Sequence, residues 1–217
     1  VRSHNEDSIA ADPANGLVVL ADGMGGYNAG EVGSGMATTV IITEMRQLLA
    51  GVRPHDVEQG SSEEVAARLV REQVLKANTS IYQAAQSQPQ YAGMGTTLVV
   101  GLFYDNRVLV PHLGDSRLYM LRDGKFKQAT RDHSLLQEQI DSGIITAEQA
   151  KKAAHKNLVT KALGIDPTVE PEIHEYATKI GDVYLLCSDG LCDMVEDEDI
   201  AMTLDALGAN LNLAAQQ

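Results

Sequence analysis

The sequence predicts an α+β protein in which layers of helix lie against antiparallel sheet. Two observations carry that expectation. Two long stretches follow one another with apolar residues at steps of three and four. Beyond residue 95 the spacing changes to short apolar runs joined by turn residues, a sequence of segregated helix and strand. The length, 217 residues with no internal repeat or low-complexity stretch, suits one globular domain with a sizeable core.

The elements follow in order. Ser8 to Asp12, Asn15-Gly16 and Leu17 to Asp22 read as strand, turn, strand, with Gly23-Met24-Gly25-Gly26 as a flexible loop. From about Gly30 to Leu49, Val32, Met36, Val40, Ile41 and Met45 mark the buried face of a helix. Arg53 to Ser62 is a polar connection. Glu63 to Gln86 is a second helix, with Val65, Leu69, Val74, Ile81 and Ala84 as its stripe. Thr96 to Tyr104, Arg107 to Gly114, Arg117 to Leu121 and Lys125 to Gln128 are strands. Asp105-Asn106 and Asp123-Gly124 supply hairpin turns between them. Ser134 to Ser142 and Thr146 to Ala153 are short helices separated by Gly143, and His155 to Gly164 has no clear pattern. Val169 to Tyr176 and Asp182 to Ser188 are strands. Glu196 to Leu207 is a helix with acidic residues at its start, where the helix dipole favours them.

The formal net charge of −13 argues against non-specific binding to nucleic acid or an anionic membrane surface. Aromatic residues are scarce and Trp is absent, so the core leans on aliphatic side chains and Met. The two cysteines, Cys187 and Cys192, suggest no disulfide framework, and a reducing cytoplasmic setting is expected. No apolar run is long enough for a membrane span.

Three apolar runs break off at an aspartate: Leu17 to Ala21 at Asp22-Gly23, Val108 to Gly114 at Asp115, and Val183 to Ser188 at Asp189-Gly190. Glu6-Asp7 precedes a further apolar segment. Buried strands have no use for a carboxylate unless something positive meets it. Lone acids at expected strand ends, spread over the chain, therefore read as oxygen ligands for a hard cation such as magnesium or manganese.

Each motif also has a plainer reading. Asp22-Gly23-Met24-Gly25-Gly26 is either a metal-side loop or a tight turn capped by Asp22. It is not a dinucleotide fingerprint, because the third glycine position, counted from Gly23, holds Asn28. Glu31-Val32 after Gly30 excludes a P-loop. The positions six residues after Cys187 and Cys192 hold Asp193 and Glu198, so a cysteine nucleophile paired with arginine is unsupported. Cys187 reads as a small core residue. Asp189 and Asp115 could each be turn residues, and Ser116 lies in no nucleophile elbow. His133 reads as a cap or buttress of the helix after it. Arg2, close to Glu6 and Asp7, is either part of a solvated turn or an anion clamp.

The ordered combination is more specific than its parts. Arg-x-x-Asn-Glu-Asp from Arg2, Asp-Gly-Met-Gly-Gly from Asp22, and Ala29-Gly30-Glu31 come first. Gly95-Thr96-Thr97, Gly114-Asp115-Ser116-Arg117 and Thr-x-Asp-His-Ser from Thr130 follow. Ala162-Leu163-Gly164 and Ser188-Asp189-Gly190-Leu191 close the set. Over nearly the whole chain this resembles the metal-dependent Ser/Thr protein phosphatases (the PPM family, protein phosphatase type 2C), in the form of the bacterial branch.

The resemblance implies a four-layer α-β-β-α sandwich of two antiparallel sheets flanked by helices. It implies that Asp22 bridges two Mn²⁺ or Mg²⁺ ions, Gly23 offers its carbonyl to one, and Asp189 binds the other. Glu6 and Asp7 would act through waters, Arg2 would hold the substrate phosphate, and Asp115 with Asp189 would bind a third ion. Asp22, Asp189 and Asp7 form the catalytic set. The implied reaction is hydrolysis of phosphoserine and phosphothreonine on proteins by a hydroxide bridging the two ions. About 136–162 would be a flap beside the site. Met24 stands where some relatives have a histidine, which leaves the general acid unassigned. The implied partners are phosphorylated proteins and a cognate Ser/Thr kinase, and the protein is expected to be a cytoplasmic monomer. The family's strand before Arg2 and its closing strand with an Asp-Asn pair have no counterpart here, so residues 1–217 are expected to be a domain truncated at both ends. A second reading is a phosphatase-like regulatory module with an incomplete metal site. A third is a small acidic cation-binding domain.

Overall fold

Short-range turn chemistry sets the hairpins. The computed structural model describes residues 5–26, 28–57, 63–151 and 158–217. Strands β1 (Asp7–Asp12) and β2 (Leu17–Met24) are joined by a single 3₁₀ turn, Pro13–Asn15, that closes on Gly16 at φ 63°. Asp105 and Asn106 take φ of 46° and 58°, and Asp123 and Gly124 take 51° and 70°. Positive φ at both central residues matches the right-handed twist of the flanking strands. The first pair joins β4 (Leu98–Tyr104) to β5 (Arg107–Leu113), and the second joins β6 (Arg117–Arg122) to β7 (Lys125–Gln128).

Two sheets result. The larger has the order β1-β2-β4-β5-β8, where β8 is Glu172–Ala177, with the two-residue β3 (Gly95–Thr96) paired to the end of β2. The smaller has the order β7-β6-β9, where β9 is Val183–Cys187. All pairings are antiparallel.

Period-two alternation sorts side chains between layers. Leu17, Val19 and Ala21 of β2, with Leu98, Val100, Leu102, Leu109 and Leu113, face helices α1 (Ala29–Leu49) and α2 (Val65–Ser87). Ala37, Ile41, Met45, Val74, Ala77 and Ile81 from those helices are fully buried against them. The opposite face, with Leu20, Val99, Val108 and Val110, meets Leu118 of β6 and Tyr184 and Leu186 of β9. The far face of the smaller sheet packs Leu121, Val183 and Leu185 on Ile200 and Leu204 of a helix over Asp197–Leu207. The layers are therefore helix, sheet, sheet, helix, the fold class expected.

Several boundaries moved. Helix α2 begins at Val65 rather than Glu63. The strand expected from Thr96 splits into β3 and β4, because Thr97 turns to bond Asp22. The strand expected from Val169 starts at Glu172: β8 pairs β5 from His112 backwards, and Pro171 has no N–H to extend the ladder. Short helices α3 (Leu135–Asp141), α4 (Ala147–Lys151), α5 (Asp189–Cys192) and α7 (Leu211–Ala214) accompany the long helix α6 over Asp197–Leu207. Of these, α5 and α7 were not anticipated. Among the described residues no helix is long and apolar enough to cross a membrane.

Candidate metal centre

Asp22 lies inside β2, not at its end, because Gly23 and Met24 continue the strand by pairing with Thr96 and Gly95. It shares the alternation of Leu20 and so belongs to the face between the sheets. Directly across the ladder its partner is Asp7, the first residue of β1. Asp189 opens α5, with one residue, Ser188, between it and the end of β9. The Asp22 carboxyl is in hydrogen-bonding range of both Asp7 and Asp189. Burial, then the charges of Asp7 and Asp189, push its pKa up to about 8. Asp22 thus has a carboxylate neighbour on each side, Asp7 from its own sheet and Asp189 from the helix that follows β9, and the repulsion on Asp22 is what a divalent cation would relieve.

The backbone of Asp22 is held from the side by the Gly95-Thr96-Thr97 segment. The Asp22 N–H donates to Thr97 Oγ1 at 3.0 Å. The Asp22 carbonyl accepts from the Thr97 N–H at 2.9 Å and from the Thr96 hydroxyl at 2.9 Å. Thr97 Oγ1 also shares a hydrogen bond of 2.7 Å with Ser116 Oγ. Ser188 donates to Asp7 Oδ2 at 3.0 Å. Thr96, Thr97, Ser116 and Ser188 were visible in the sequence only as members of motifs. Their role needed the sheet register.

Gly23 and Gly30 explain the Asp-Gly and Ala-Gly-Glu pieces physically. A Cβ on Gly23 would sit 2.0 Å from the Gly30 carbonyl oxygen, and one on Gly30 would sit 2.6 Å from Glu6 Oε1. The start of α1 therefore lies directly on β2, with the Glu6 carboxylate against it. The Glu6 carbonyl accepts from the Gly23 N–H at 3.0 Å and from Ser34 Oγ at 2.6 Å. Glu6 thus stands beside the carboxylate group, on the α1 side.

Asp115 follows β5 in a turn at Gly114, whose φ is 97°. It is nearly buried, and burial, then the charges of Asp189 and Asp132, raise its pKa to about 6. Asp115 and Asp189 both line a cleft of about 340 Å³ whose other walls include Ser134, Ile140 and Asp193. Burial works against the Arg117 charge, but the pair with Asp132, at 2.6 Å to Oδ2, holds the guanidinium above its ordinary pKa. Arg117 also donates to Tyr119 Oη, which donates to Asp197 at 3.1 Å. Arg2 lies outside the described residues.

The expectation for His133 is corrected in part. Ser134, not His133, caps α3, accepting from the Gln137 N–H at 3.3 Å. His133 instead joins His112 and Glu172, and no sequence signal linked positions so far apart.

The family model described as "Protein phosphatase 2C" matches residues 2–214. The chain belongs to the protein phosphatase 2C family. It is 41% identical over 204 residues to "Serine/threonine protein phosphatase PstP" of Mycobacterium tuberculosis, covering 94% of this chain and 37% of that protein. It is 34% identical over 203 residues to "Serine/threonine phosphatase stp" of Listeria monocytogenes, covering 92% of this chain and 77% of that one. The crystal structure of the M. tuberculosis phosphatase PstP/Ppp superposes with a TM-score of 0.80 at 37% identity, covering all of this chain and 88% of that one. The PstP catalytic domain in complex with two manganese ions gives 0.77 at 38% identity, covering 94% and 80%. This member of the family therefore spans little more than a third of PstP's length.

Proposed function

We propose that this phosphatase 2C domain hydrolyses phosphoserine and phosphothreonine on proteins with two Mn²⁺ or Mg²⁺ ions. The observation that carries the reading is the place of Asp7, across the ladder, and Asp189, at the start of α5, beside the Asp22 carboxyl. A solved relative, the PstP catalytic domain, is a complex with two manganese ions. The all-oxygen donor set suits hard cations, and the elevated Asp22 pKa marks negative charge in need of them. Asp22 would be shared by both ions, with the Gly23 carbonyl and Asp189 as further ligands. Glu6 and Asp7 would act through waters, and Asp115 with Asp189 would take a third ion. When bound, the ions acidify a water to serve as nucleophile and neutralise the phosphoryl oxygens.

The chain's own residues supply position. Thr96 and Thr97 lock the Asp22 main chain, and Ser188 orients Asp7. Arg2, by its motif, would hold the substrate phosphate. Cys187 offers no competing nucleophile: the Cys192 thiol beside it and burial push its pKa up. Residues 136–162, of which 152–157 lie outside the described residues, would form a flap, supported by the place of Ile140, Ala147 and Ala150 on the cleft beside Asp189. We place the domain as a cytoplasmic monomer acting on phosphorylated proteins against a cognate Ser/Thr kinase. The two free thiols are in keeping with a reducing compartment.

Phosphate release from p-nitrophenyl phosphate and from a phosphothreonine peptide, with Mn²⁺ or with EDTA, tests the reading. Release is expected only with metal and is expected to vanish in Asp22→Ala. Metal-independent release, or full activity in Asp22→Ala, overturns it. Native folding with no release under any condition points to a non-catalytic module.

A further inference from the structure

Behind the Asp115 turn, His133 spends both ring nitrogens. The Gly114 N–H donates to His133 Nδ1 at 3.1 Å, so that nitrogen carries the lone pair and the ring proton sits on Nε2. Nε2 lies 3.0 Å from Glu172 Oε2, and the second Glu172 oxygen lies 2.6 Å from His174 Nε2. The His133 N–H also donates to the Gly114 carbonyl at 2.9 Å, so Gly114 is bonded to His133 from both of its polar groups. His112 stacks on the imidazole at 4.9 Å with planes 4° apart, and its own Nε2 meets the Arg131 main chain, 2.8 Å from the carbonyl oxygen and 3.3 Å from the N–H nitrogen. Ligand atoms of His112, His133 and Glu172 lie within 4.8 Å of one another, a spacing that would tempt assignment as a cation site. Its hydrogen bonding says otherwise, because His133 keeps no free lone pair.

The opposite side of Gly114 is closed as well. A Cβ there would stand 2.7 Å from Thr97 Cγ2, and φ is 97°. Gly114 is thus clamped between Thr97, which holds Asp22, and His133, which is anchored through Glu172 to β8. The next residue is Asp115.

We propose that His133, oriented by Glu172, is a positioning residue for Asp115 and through it for the cation that Asp115 and Asp189 would share. The inference rests on Asp115 being a metal ligand, as set out under the proposed function. Partners bonded directly to a ligand are worth about 10–100-fold in metal affinity, and His133, which acts through the main chain one residue before Asp115, belongs at the low end of that range. The cation nearer Asp22 has its own supports and should be untouched.

Mn²⁺ titration by calorimetry on wild type, Asp115→Ala, His133→Ala, His133→Asn and Glu172→Ala tests this. Asp115→Ala should lose a weak binding class and keep the tight one. His133→Ala should weaken that same class about tenfold or more. His133→Asn, whose Oδ1 can replace Nδ1 as acceptor for Gly114, should recover it to within about threefold of wild type, and Glu172→Ala should fall between. The tight class, measured in the same titration, reports native folding in each variant. If Asp115→Ala keeps the weak class, Asp115 is no ligand and the inference falls with that assignment. If Asp115→Ala loses it while His133→Ala does not, only the role of His133 is overturned. An Asn variant as weak as the Ala variant also overturns it, since general packing would then explain the loss.

Discussion

Replacing Asp22 by asparagine should stabilise the metal-free protein while removing its cation site. Burial, Asp7 and Asp189 raise the Asp22 carboxyl from 3.8 to about 8. The folded state therefore holds this proton more tightly than the unfolded state does. Above pH 8 the group is ionised in both states and the full cost of gathering the carboxylates is felt. As pH falls from 8 towards 4, the folded state takes up a proton and the cost is relieved. At about 1.4 kcal/mol for each pH unit between those values, the ceiling is about 6 kcal/mol. Asp22 is only partly buried, at an end of the sandwich that water can reach, so screening should leave about 2–3 kcal/mol. Asparagine cannot ionise. Asp22→Asn should therefore gain about 2–3 kcal/mol at pH 8.5 in EDTA and much less at pH 5, read from urea midpoints at constant slope. A variant no more stable than wild type at pH 8.5, or one with equal gains at both pH values, would refute the electrostatic argument.

Other expectations follow from the same geometry. Thr97→Val keeps the shape but strands the Asp22 N–H and the Ser116 hydroxyl, each costing about 1–3 kcal/mol, so a loss of about 2–6 kcal/mol should appear in urea unfolding. A loss below about 0.5 kcal/mol would show that neither bond matters to stability. Mn²⁺ affinity should fall about tenfold per pH unit between pH 8 and 6, as the ion must displace the Asp22 proton; calorimetry at three pH values would show a flat profile if Asp22 is not a ligand. Gly30→Ala should lose about 1–3 kcal/mol and bind Mn²⁺ more weakly, since its methyl would meet Glu6 Oε1 at 2.6 Å. Wild-type values for both would mean that α1 shifts away from β2 freely.

The long helices and the hairpins were legible because their signals are local. Apolar steps of three and four marked α1 and α2, and Asp-Asn and Asp-Gly marked two turns. The acids Asp22, Asp115 and Asp189 stood out because each ends an apolar run, and Asp7 because it precedes one. What stayed hidden depends on contacts between distant segments. Asp22 was expected at a strand end, and only the pairing of Gly23 and Met24 with β3 shows that the strand continues. Thr97 looked like one more strand residue until its hydroxyl was seen under Asp22. Glu172 carried no signal, as nothing in the chain marks it as the cross-strand partner of His112. Helix α5, of four residues, is too short to leave a period.

Anomalous diffraction from a crystal soaked in Mn²⁺ would locate the cations against Asp22 and Asp189. Two ions about 3.5–4 Å apart are expected beside Asp22, which should contact both, with Asp189 bound to one and any third ion between Asp189 and Asp115. An absence of density beside Asp22, or ions held only by His112, His133 and Glu172, would contradict it.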